Sequence, residues 1–389
     1  MSSPPPAILP GEWLGLLGGG QLGRMFTQSA HRLGYKVCVL DPDTSSPTGA
    51  IAERHLQADY LDDAALGELA RQARATTTEF ENVPAAALNH LAQHGPVSPD
   101  AAAVRIAQDR AIEKRFVHAR GIPVAPHAVI ERTENFATLD ATLFPGILKT
   151  ARLGYDGKGQ VTVASAAEAR AAWERLGAVP CVLEQRLPLQ QEVSCIVARG
   201  RDGAVASFPI VENTHRDGIL AVSVAPARIA PQLAEEARSL AVRIAEAMQY
   251  VGVLCIEFFV LADGRLVVNE MAPRPHNSGH YTIDACITSQ FEQQVRILAG
   301  LPLGDTTQLA HAVMLNLLGD LWFDAAGTLR EPAWAEVLRD PCAKLHLYGK
   351  HEPRRGRKMG HLTLLAPNHA QAIAAANRAA ARLQLPAVS

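Results

Sequence analysis

Hydrophobic residues along this chain fall in short, separated runs whose spacing switches between strand and helix signatures. Trp13–Leu17 and Lys36–Leu40 read as apolar strands on either side of a helical stretch that reaches Leu33 and stops at Gly34. Strand and helix signals alternate through Asp59–Ala75 and Thr76–Phe80 to about Ser98, which predicts a parallel α/β domain. A helix over Ala101–Arg120 ends at Gly121, before Pro123, where a helix cannot continue. Phe144–Thr150 and Cys181–Glu184 predict strands around a helix near Ala166–Leu176. A helix from Pro231 to Tyr250 leads into two β-branched-rich runs, Val253–Leu261 and Arg265–Asn269. Ile283, Ile287, Phe291, Val295 and Leu298 then recur at helical spacing, a core stripe. Ala343–Leu347 adds a late strand and Gln371–Leu383 a closing helix. At 389 residues the chain is too long for one ordinary core, so two to three domains are expected.

Asp263-Gly264, between the two β-rich runs, is the strongest short-range signal for a two-residue hairpin turn. In that register Ala262 faces Arg265, Leu261 faces Leu266 and Glu257 stands opposite Glu270. Directly opposed residues have Cβ atoms about 4.5–5.5 Å apart, and like charges so placed are destabilising. Either the hairpin slips by a residue, or the pair lies on a wet face, or a cation lies between the two acids. A Mg²⁺ site answers the third case, because hard divalent cations take carboxylate oxygens and keep positions for water and substrate phosphates. The loop after Glu270 favours it: Arg274, His276, Asn277, Ser278 and His280 follow one another around Pro273 and Pro275, more donors than a connector requires.

Composition narrows the function classes. The chain is 48% hydrophobic and 20% charged, with a net charge of −2, so there is no electrostatic case for nucleic acid or an anionic membrane. Six scattered cysteines without a C-x-x-C pair read as buried thiols of a reducing compartment. No basic, apolar leader and no 18-residue apolar run is present, so a cytoplasmic protein is expected, with its first ten residues a loose tail.

Further candidate chemistry lies at strand ends. Gly18–Gly23 (GGGQLG), with Asp41 at the end of the following strand, satisfies the dinucleotide-binding fingerprint on paper. Any doubly wound domain needs such a turn, so a nicotinamide site is one reading and a plain structural turn the other. Glu79, Glu81 and Asn82 fall at the mouth of the parallel sheet, or serve as a helix cap before Pro84. Lys149, inside an apolar strand ahead of the Gly154, Gly157, Gly159 loop, is a candidate phosphate ligand, since lysine is rarely buried unpaired. The bland alternative is a glycine-rich hairpin tip. Glu184-Gln185-Arg186-Leu187 leave a strand where backbone groups can read the edge of a base, and Glu192 follows on the next strand. His215 alone reads as structural. The basic run Lys350, Arg354, Arg355, Arg357, Lys358 is a solvated loop or a grip for one phosphate group.

Taken in order, GGGQLGRM (Gly18–Met25), TEFENV (Thr78–Val83), GYDGKGQ (Gly154–Gln160), Glu184-Gln185, NEMAPRPHNSGH (Asn269–His280) and YGK…GRKMGH (Tyr348–Lys350, Gly356–His361) resemble the ATP-grasp superfamily. Within it they resemble the 5-(carboxyamino)imidazole ribonucleotide synthases of purine biosynthesis, over nearly the whole length. The resemblance implies an α/β protein of three domains: a parallel domain over 1–104, an ATP-grasp domain over 105–300 with a mobile lid at about 130–205, and a small domain over 301–389. It implies an ATP-dependent ligase, a homodimer, that carboxylates 5-aminoimidazole ribonucleotide with bicarbonate by way of carboxyphosphate, and hand-off of the product to the mutase that follows. Arg110, Lys149, Gly154, Tyr155, Asp156, Gly157, Lys158, Gly159, Gln160, Glu184, Gln185, Arg186, Leu187, Glu192, His215, Asn269 and Glu270 would surround ATP. Glu257 and Glu270 would hold Mg²⁺, with Mn²⁺ as the alternative ion. Tyr155, Asp156, Arg274, His276, Asn277 and Ser278 would line the carboxylation site, with Asp156 handling the proton. Lys350 and Arg357 would grip the ribonucleotide phosphate, and Gln21 and Glu81 touch the ribonucleotide. Ala272 departs from the wider superfamily, where many members have Asn at that position, which leaves the number of metal ions open. The rivals are a formate-using sister enzyme acting on glycinamide ribonucleotide, a nicotinamide oxidoreductase, and a nucleotide sensor without turnover.

Overall fold

The computed structural model describes residues 6–154 and 157–388. Three sheets organise them. A five-stranded parallel sheet has the order Arg54–Leu56, Lys36–Leu40, Trp13–Leu17, Ala75–Thr78, Val97–Ser98. Two of its inner strands, Trp13–Leu17 and Lys36–Leu40, are largely apolar because both faces are covered; Leu14, Leu16, Val37 and Val39 are all fully buried. The Gln21–Arg32 helix buries Leu22, Met25, Phe26 and Ala30, a 3.6-residue stripe, against Phe291, Val295 and Leu298 of the Gln290–Ala299 helix. The first sheet is thus closed by a helix from far along the chain. Ile287, expected in that helix's core stripe, lies before it and is exposed. The expected loose tail is also anchored close to its start: the Ile8 amide donates to the Ala299 carbonyl (2.8 Å), and Tyr35 Oη to the Ile8 carbonyl (2.7 Å).

A four-stranded antiparallel sheet, in the order His127–Ile130, Cys181–Gln185, Gly146–Thr150, Gln160–Val163, packs against the Ala166–Arg175 helix. It ends at Gln185, since the next strand, Leu189–Arg199, already runs in the large sheet. That nine-stranded antiparallel sheet starts at Leu266–Ala272 and Gly252–Leu261. It continues through Leu189–Arg199, Val211–Arg216 and Ile219–Ala225 into His311–Leu318, Lys358–Ala366 and Ala343–Leu347. Strands from the end of the chain therefore extend the central sheet. The Pro231–Ala247 helix covers one part of it with Leu240 and Ile244, and the His369–Arg382 helix another with a stripe of alanines that lets it lie close.

The helix expected over Ala101–Arg120 is two helices, Ala101–Ala107 and Arg110–His118. Asp109 breaks it: its carboxylate accepts from the amides of Ala111 and Ile112, starting a new helix, while the Arg110 amide donates to the Ala151 carbonyl (2.9 Å). The break aims the second helix at the acidic hairpin. Among the cysteines, five are buried free thiols, but Cys342 is exposed. Among the described residues no helix is long and apolar enough to cross a membrane.

Candidate active site

Glu257 and Glu270 do stand opposite each other, although the turn that joins their strands is not the one expected. The Leu261 amide donates to the Arg265 carbonyl (2.9 Å) and the Gly264 amide to the Leu261 carbonyl (2.9 Å). The loop is therefore three residues, with Gly264 at φ +83° in the left-handed region, and Val260, not Leu261, faces Leu266. That shifts the ladder by one. A bulge between the Glu257/Glu270 and Phe258/Val268 pairs leaves Asn269 without a partner in the ladder and shifts it back. The bulge also turns the Asn269 carbonyl toward Lys114, which donates to it at 3.2 Å.

The two acids are not equivalent. Arg110 Nη1 lies 2.7 Å from Glu270 Oε2; against the cost of burial, Arg110 and Lys149 hold the Glu270 carboxyl well below its usual range. Burial and the neighbouring Glu270 push Glu257 up to about 8. Glu257 Oε1 is buried and accepts no hydrogen bond among the described residues; His276 Nε2 is 3.7 Å from it. A buried acid held short of a cation, beside one already ionised, fits a divalent ion that arrives with its own oxygen ligands. Among the described residues no group of three or more His, Cys, Asp or Glu could hold a metal alone, so the remaining ligands would have to come from substrate and water.

On one side of the hairpin lie the residues expected around ATP. Glu184 is buried between two lysines, Lys149 at 3.1 Å and Lys114 at 3.3 Å, and they keep it ionised against the cost of burial. Lys114 was not legible as a site residue. The signal was its spacing: it lies four positions after Arg110, on the same helix face, and is 1% exposed. Gln185, Arg186 and Leu187 line a pocket of about 530 Å³ with Ile147, Phe259 and Lys149, mostly apolar on its walls. The Gln185 and Arg186 amides donate to the carbonyls of Pro126 and Pro145, so these two amides hold the pocket's shape. His215 Nδ1 pairs with Glu192 at 2.7 Å, and although burial opposes it, that acid raises the histidine's pKa. The Gly154–Gln160 loop is tied at both ends, Gly154 by Arg110 Nη2 (3.2 Å) and Gly159 by the Thr150 amide (2.8 Å). Gly157 and Gly159 take left-handed φ values of +76° and +73°, which a side chain would resist. Tyr155 and Asp156 lie outside the described residues.

On the other side is a cleft of about 350 Å³, lined by Gln21, Glu79, Glu81, Arg110, Glu257, Glu270, Arg274, His276, Asn277 and Lys358 among others. Arg274 Nε reaches Glu81 Oε2 at 2.5 Å, an ion pair strong enough to keep Glu81 ionised while buried. Burial and the charges of Arg274 and Lys358 hold His276 well below its ordinary pKa, so it is neutral. Both polar atoms of the Asn277 amide are buried without a hydrogen bond among the described residues. Such groups are costly unless something else meets them. Lys350 Nζ donates to the Lys358 carbonyl (2.7 Å), while Arg357 Nη1 donates to the Glu352 carbonyl (2.8 Å). Lys358, which the sequence placed only in a basic run, lines the cleft, whereas Lys350 and Arg357 do not. Glu113 was also not legible: it accepts from the Met271 amide, and burial pushes its carboxyl up to about 8.

The glycine turn is occupied by the protein's own carboxylate. Glu79 fills the anion position at the start of the Gln21–Arg32 helix, accepting from the amides of Gly20 and Gly23 (2.8 Å for the latter). Asp41 accepts from the Gly19 amide (2.7 Å) and from Tyr60 Oη (2.6 Å). A Cβ on Gly20 would meet Glu79 Oε1, the acceptor of the Gly20 amide. The pyrophosphate place of the nicotinamide reading is taken by the protein's own acid.

A sheet that lays an acidic hairpin under a small antiparallel sheet, with paired lysines and a glycine loop between them, is the architecture of an ATP-grasp ligase. Family models agree: residues 12–108 match the ribonucleotide synthetase preATP-grasp domain, 115–291 the ATP-grasp domain, and 312–375 the phosphoribosylaminoimidazole carboxylase C-terminal domain. The chain is 48% identical over 364 residues to the N5-carboxyaminoimidazole ribonucleotide synthase of Brucella melitensis, covering 93% of this chain and 98% of that one. To the synthase of Bacillus subtilis it is 42% identical, covering 92% of each. Among solved structures, the Staphylococcus aureus synthetase complexed with ADP superposes with a TM-score of 0.87 at 36% identity, covering 97% of this chain and 98% of that one. The Aspergillus clavatus synthase, in complex with ADP and 5-aminoimidazole ribonucleotide, gives 0.86 at 31%, covering 96% and 98%. The chain belongs to the N5-carboxyaminoimidazole ribonucleotide synthase family.

Proposed function

We propose that this enzyme uses ATP to carboxylate 5-aminoimidazole ribonucleotide with bicarbonate, releasing ADP and phosphate, within purine biosynthesis. The observation that carries the reading is the opposed Glu257/Glu270 pair, which lines the cleft, with Glu257 two residues along its strand from Phe259 of the mostly apolar pocket. Mg²⁺, or Mn²⁺ in its place, would be held by Glu257 and Glu270 and would supply charge neutralisation for the phosphates. Arg110, Lys149 and the Gly154–Gln160 loop bind the phosphates of ATP, and Gln185 to Leu187 the base. Bicarbonate is a poor electrophile. Its oxygen attacks the γ-phosphorus, the bond to the bridging oxygen breaks, and ADP leaves with that electron pair. Lys149 offsets the charge that spreads over the transferred group. The carboxyphosphate formed, or CO₂ released from it, is attacked at carbon by the substrate amine; inorganic phosphate leaves and the amine proton passes to a base, for which Asp156 is the candidate. Arg274, His276 and Asn277 hold the carboxyl oxygens in the cleft, and Lys350, with Arg357 or Lys358, the ribonucleotide phosphate. Closure of the glycine loop keeps water from the labile intermediate.

The enzyme is taken to act in the cytoplasm as a homodimer that passes its product to the next enzyme, a mutase; sedimentation of the purified chain tests the dimer. The reaction itself is tested by measuring ADP release with bicarbonate, formate and the ribonucleotide each added or omitted. Turnover that requires both bicarbonate and the aminoimidazole supports the reading. Turnover sustained by formate overturns it.

A further inference from the structure

Behind His276 runs a line of buried polar side chains that the reaction above does not use. His276 Nδ1 lies 2.9 Å from Ser278 Oγ; Ser278 Oγ lies 2.8 Å from Ser194 Oγ. Asn213 Nδ2 is 2.9 Å from Ser194 Oγ, and Ser223 Oγ is 2.9 Å from Asn213 Oδ1. Ser194, Ser223 and Ser278 are at most 1% exposed and Asn213 is 5% exposed. Three neighbouring strands of the large sheet supply Ser194, Asn213 and Ser223, with Asn213 paired directly to Ser223 and Ser194 directly to Glu257, and the short turn Asn277–Gly279 supplies Ser278. The neighbours of Ser194 along its strand are Val193 and Cys195, ordinary core residues. Four polar side chains in such a place need a reason, because each costs stability unless it is hydrogen-bonded.

The direction of every bond in the line follows from one group. The Ser278 backbone amide points at His276 Nδ1 from 3.3 Å, and an amide can only donate. Nδ1 therefore accepts and carries no proton, so the Ser278 hydroxyl beside it also donates. Ser278 Oγ must then accept from the Ser194 hydroxyl. Ser194 Oγ in turn accepts from the Asn213 NH₂ group, which sets that amide's orientation and leaves its oxygen to accept from Ser223. With Nδ1 bare, the neutral imidazole carries its proton on Nε2, the nitrogen that faces Glu257 and the cleft.

We infer that Ser194, Asn213 and Ser223 are positioning residues which, through Ser278, hold His276 as the Nε2–H tautomer, making it a fixed hydrogen-bond donor to the bicarbonate-derived oxygens and not a base. The inference rests on the proposed carboxylation for the identity of the acceptor, but the tautomer itself does not. The test follows both. The protein is labelled with ¹⁵N-histidine, and the ring signals of His276 are assigned by their loss in His276→Gln. In the wild type Nε2 bears the proton and Nδ1 none. Asn213→Asp, read over a rising pH series so that its ionised form is reached, offers Ser194 only acceptors and sets the line against the Ser278 amide, so a share of the ring's proton moves to Nδ1 as the acid ionises. The loss of a donor from the cleft then lowers kcat roughly 10- to 100-fold with KM for ATP nearly unchanged. Ser194→Ala cuts the line with a smaller change of shape. It leaves a mixture of tautomers and a lesser fall in kcat, and it decides the matter alone if the first variant does not fold. A wild-type proton on Nδ1, or ring signals and kcat unchanged in a folded Ser194→Ala, overturns the inference. Absence of bicarbonate-dependent turnover in the wild type would instead overturn the proposed reaction and leave the tautomer result standing.

Discussion

Two places in this chain gather a pair of acids, one just past strand ends and one within a hairpin, and they are left in opposite conditions. At the glycine turn, Asp41 and Glu79 are met by backbone amides and Tyr60, so the acids finish the structure. At the hairpin, Glu257 Oε1, Asn269 Oδ1 and both polar atoms of Asn277 are buried without a hydrogen bond among the described residues. The two regions look alike in sequence, each a glycine- or proline-rich loop after an apolar run. They differ in whether the protein supplies the counterpart. A satisfied polar cluster is architecture; an unsatisfied one beside a cleft is where a ligand completes the set.

The largest test breaks the unsatisfied side. Glu270→Gln keeps the shape and removes the charge, and ATP turnover should fall by roughly a thousandfold or more, on the scale of losing a main electrostatic stabiliser. ADP release near the wild-type rate would show that the opposed pair holds no cation. Next, Lys350→Ala probes the proposed phosphate grip beside the cleft, where Lys350 holds the carbonyl of Lys358. Removing a charged donor to the ribonucleotide phosphate should raise the KM for ribonucleotide about 10- to 100-fold, equivalent to about 1.5–3 kcal/mol, with kcat little changed. An unchanged KM would remove Lys350 from that grip.

The satisfied side answers to stability. Glu79→Ala strands the amides of Gly20 and Gly23 and should cost about 1–3 kcal/mol in denaturant unfolding, while the KM for ATP stays as it was. If that variant loses ATP affinity before it loses stability, the glycine turn belongs to the nucleotide site after all and the contrast fails.

The contrast was only half legible in the sequence. Strand–loop–helix order and the motif series gave the three-part architecture, because local spacing carries it. The opposition of Glu257 and Glu270 was reached through the wrong turn: the extra residue in the Asp263-Gly264 loop and the bulge at Asn269 cancel, and neither can be counted from one strand alone. Glu79 was read either at the mouth of the sheet or as a cap for the helix that follows it; it lies at the mouth, lining the cleft, and the helix it caps begins 58 positions earlier, at Gln21. Glu113 and the Ser194–Asn213 line were invisible for the same reason, and Lys114 showed only in its four-residue spacing from Arg110. Their partners are more than ten positions away, across elements whose packing no periodicity reports.

The smallest effect comes from Glu113, which sits between the two conditions: it accepts the Met271 amide, yet it is buried near Glu270. Burial pushes its carboxyl up to about 8 from an ordinary 4.5, so between those values the folded protein binds more protons than the unfolded chain. Its contribution to stability therefore falls as pH rises from about 4.5 to about 8, by at most about 1.4 kcal/mol per unit, and is level above. Glu113→Gln keeps an acceptor for the amide and has nothing to ionise. Without ATP, its melting temperature should gain on the wild type as pH is raised from 5 to 8, by a few degrees at most, and the gap should stop growing beyond that. Parallel curves for the two proteins would mean that Glu113 is already ionised at low pH, held so by Arg110 and Lys114. It would then belong with the satisfied acids of the glycine turn, and the boundary between architecture and ligand site would move one residue closer to the hairpin.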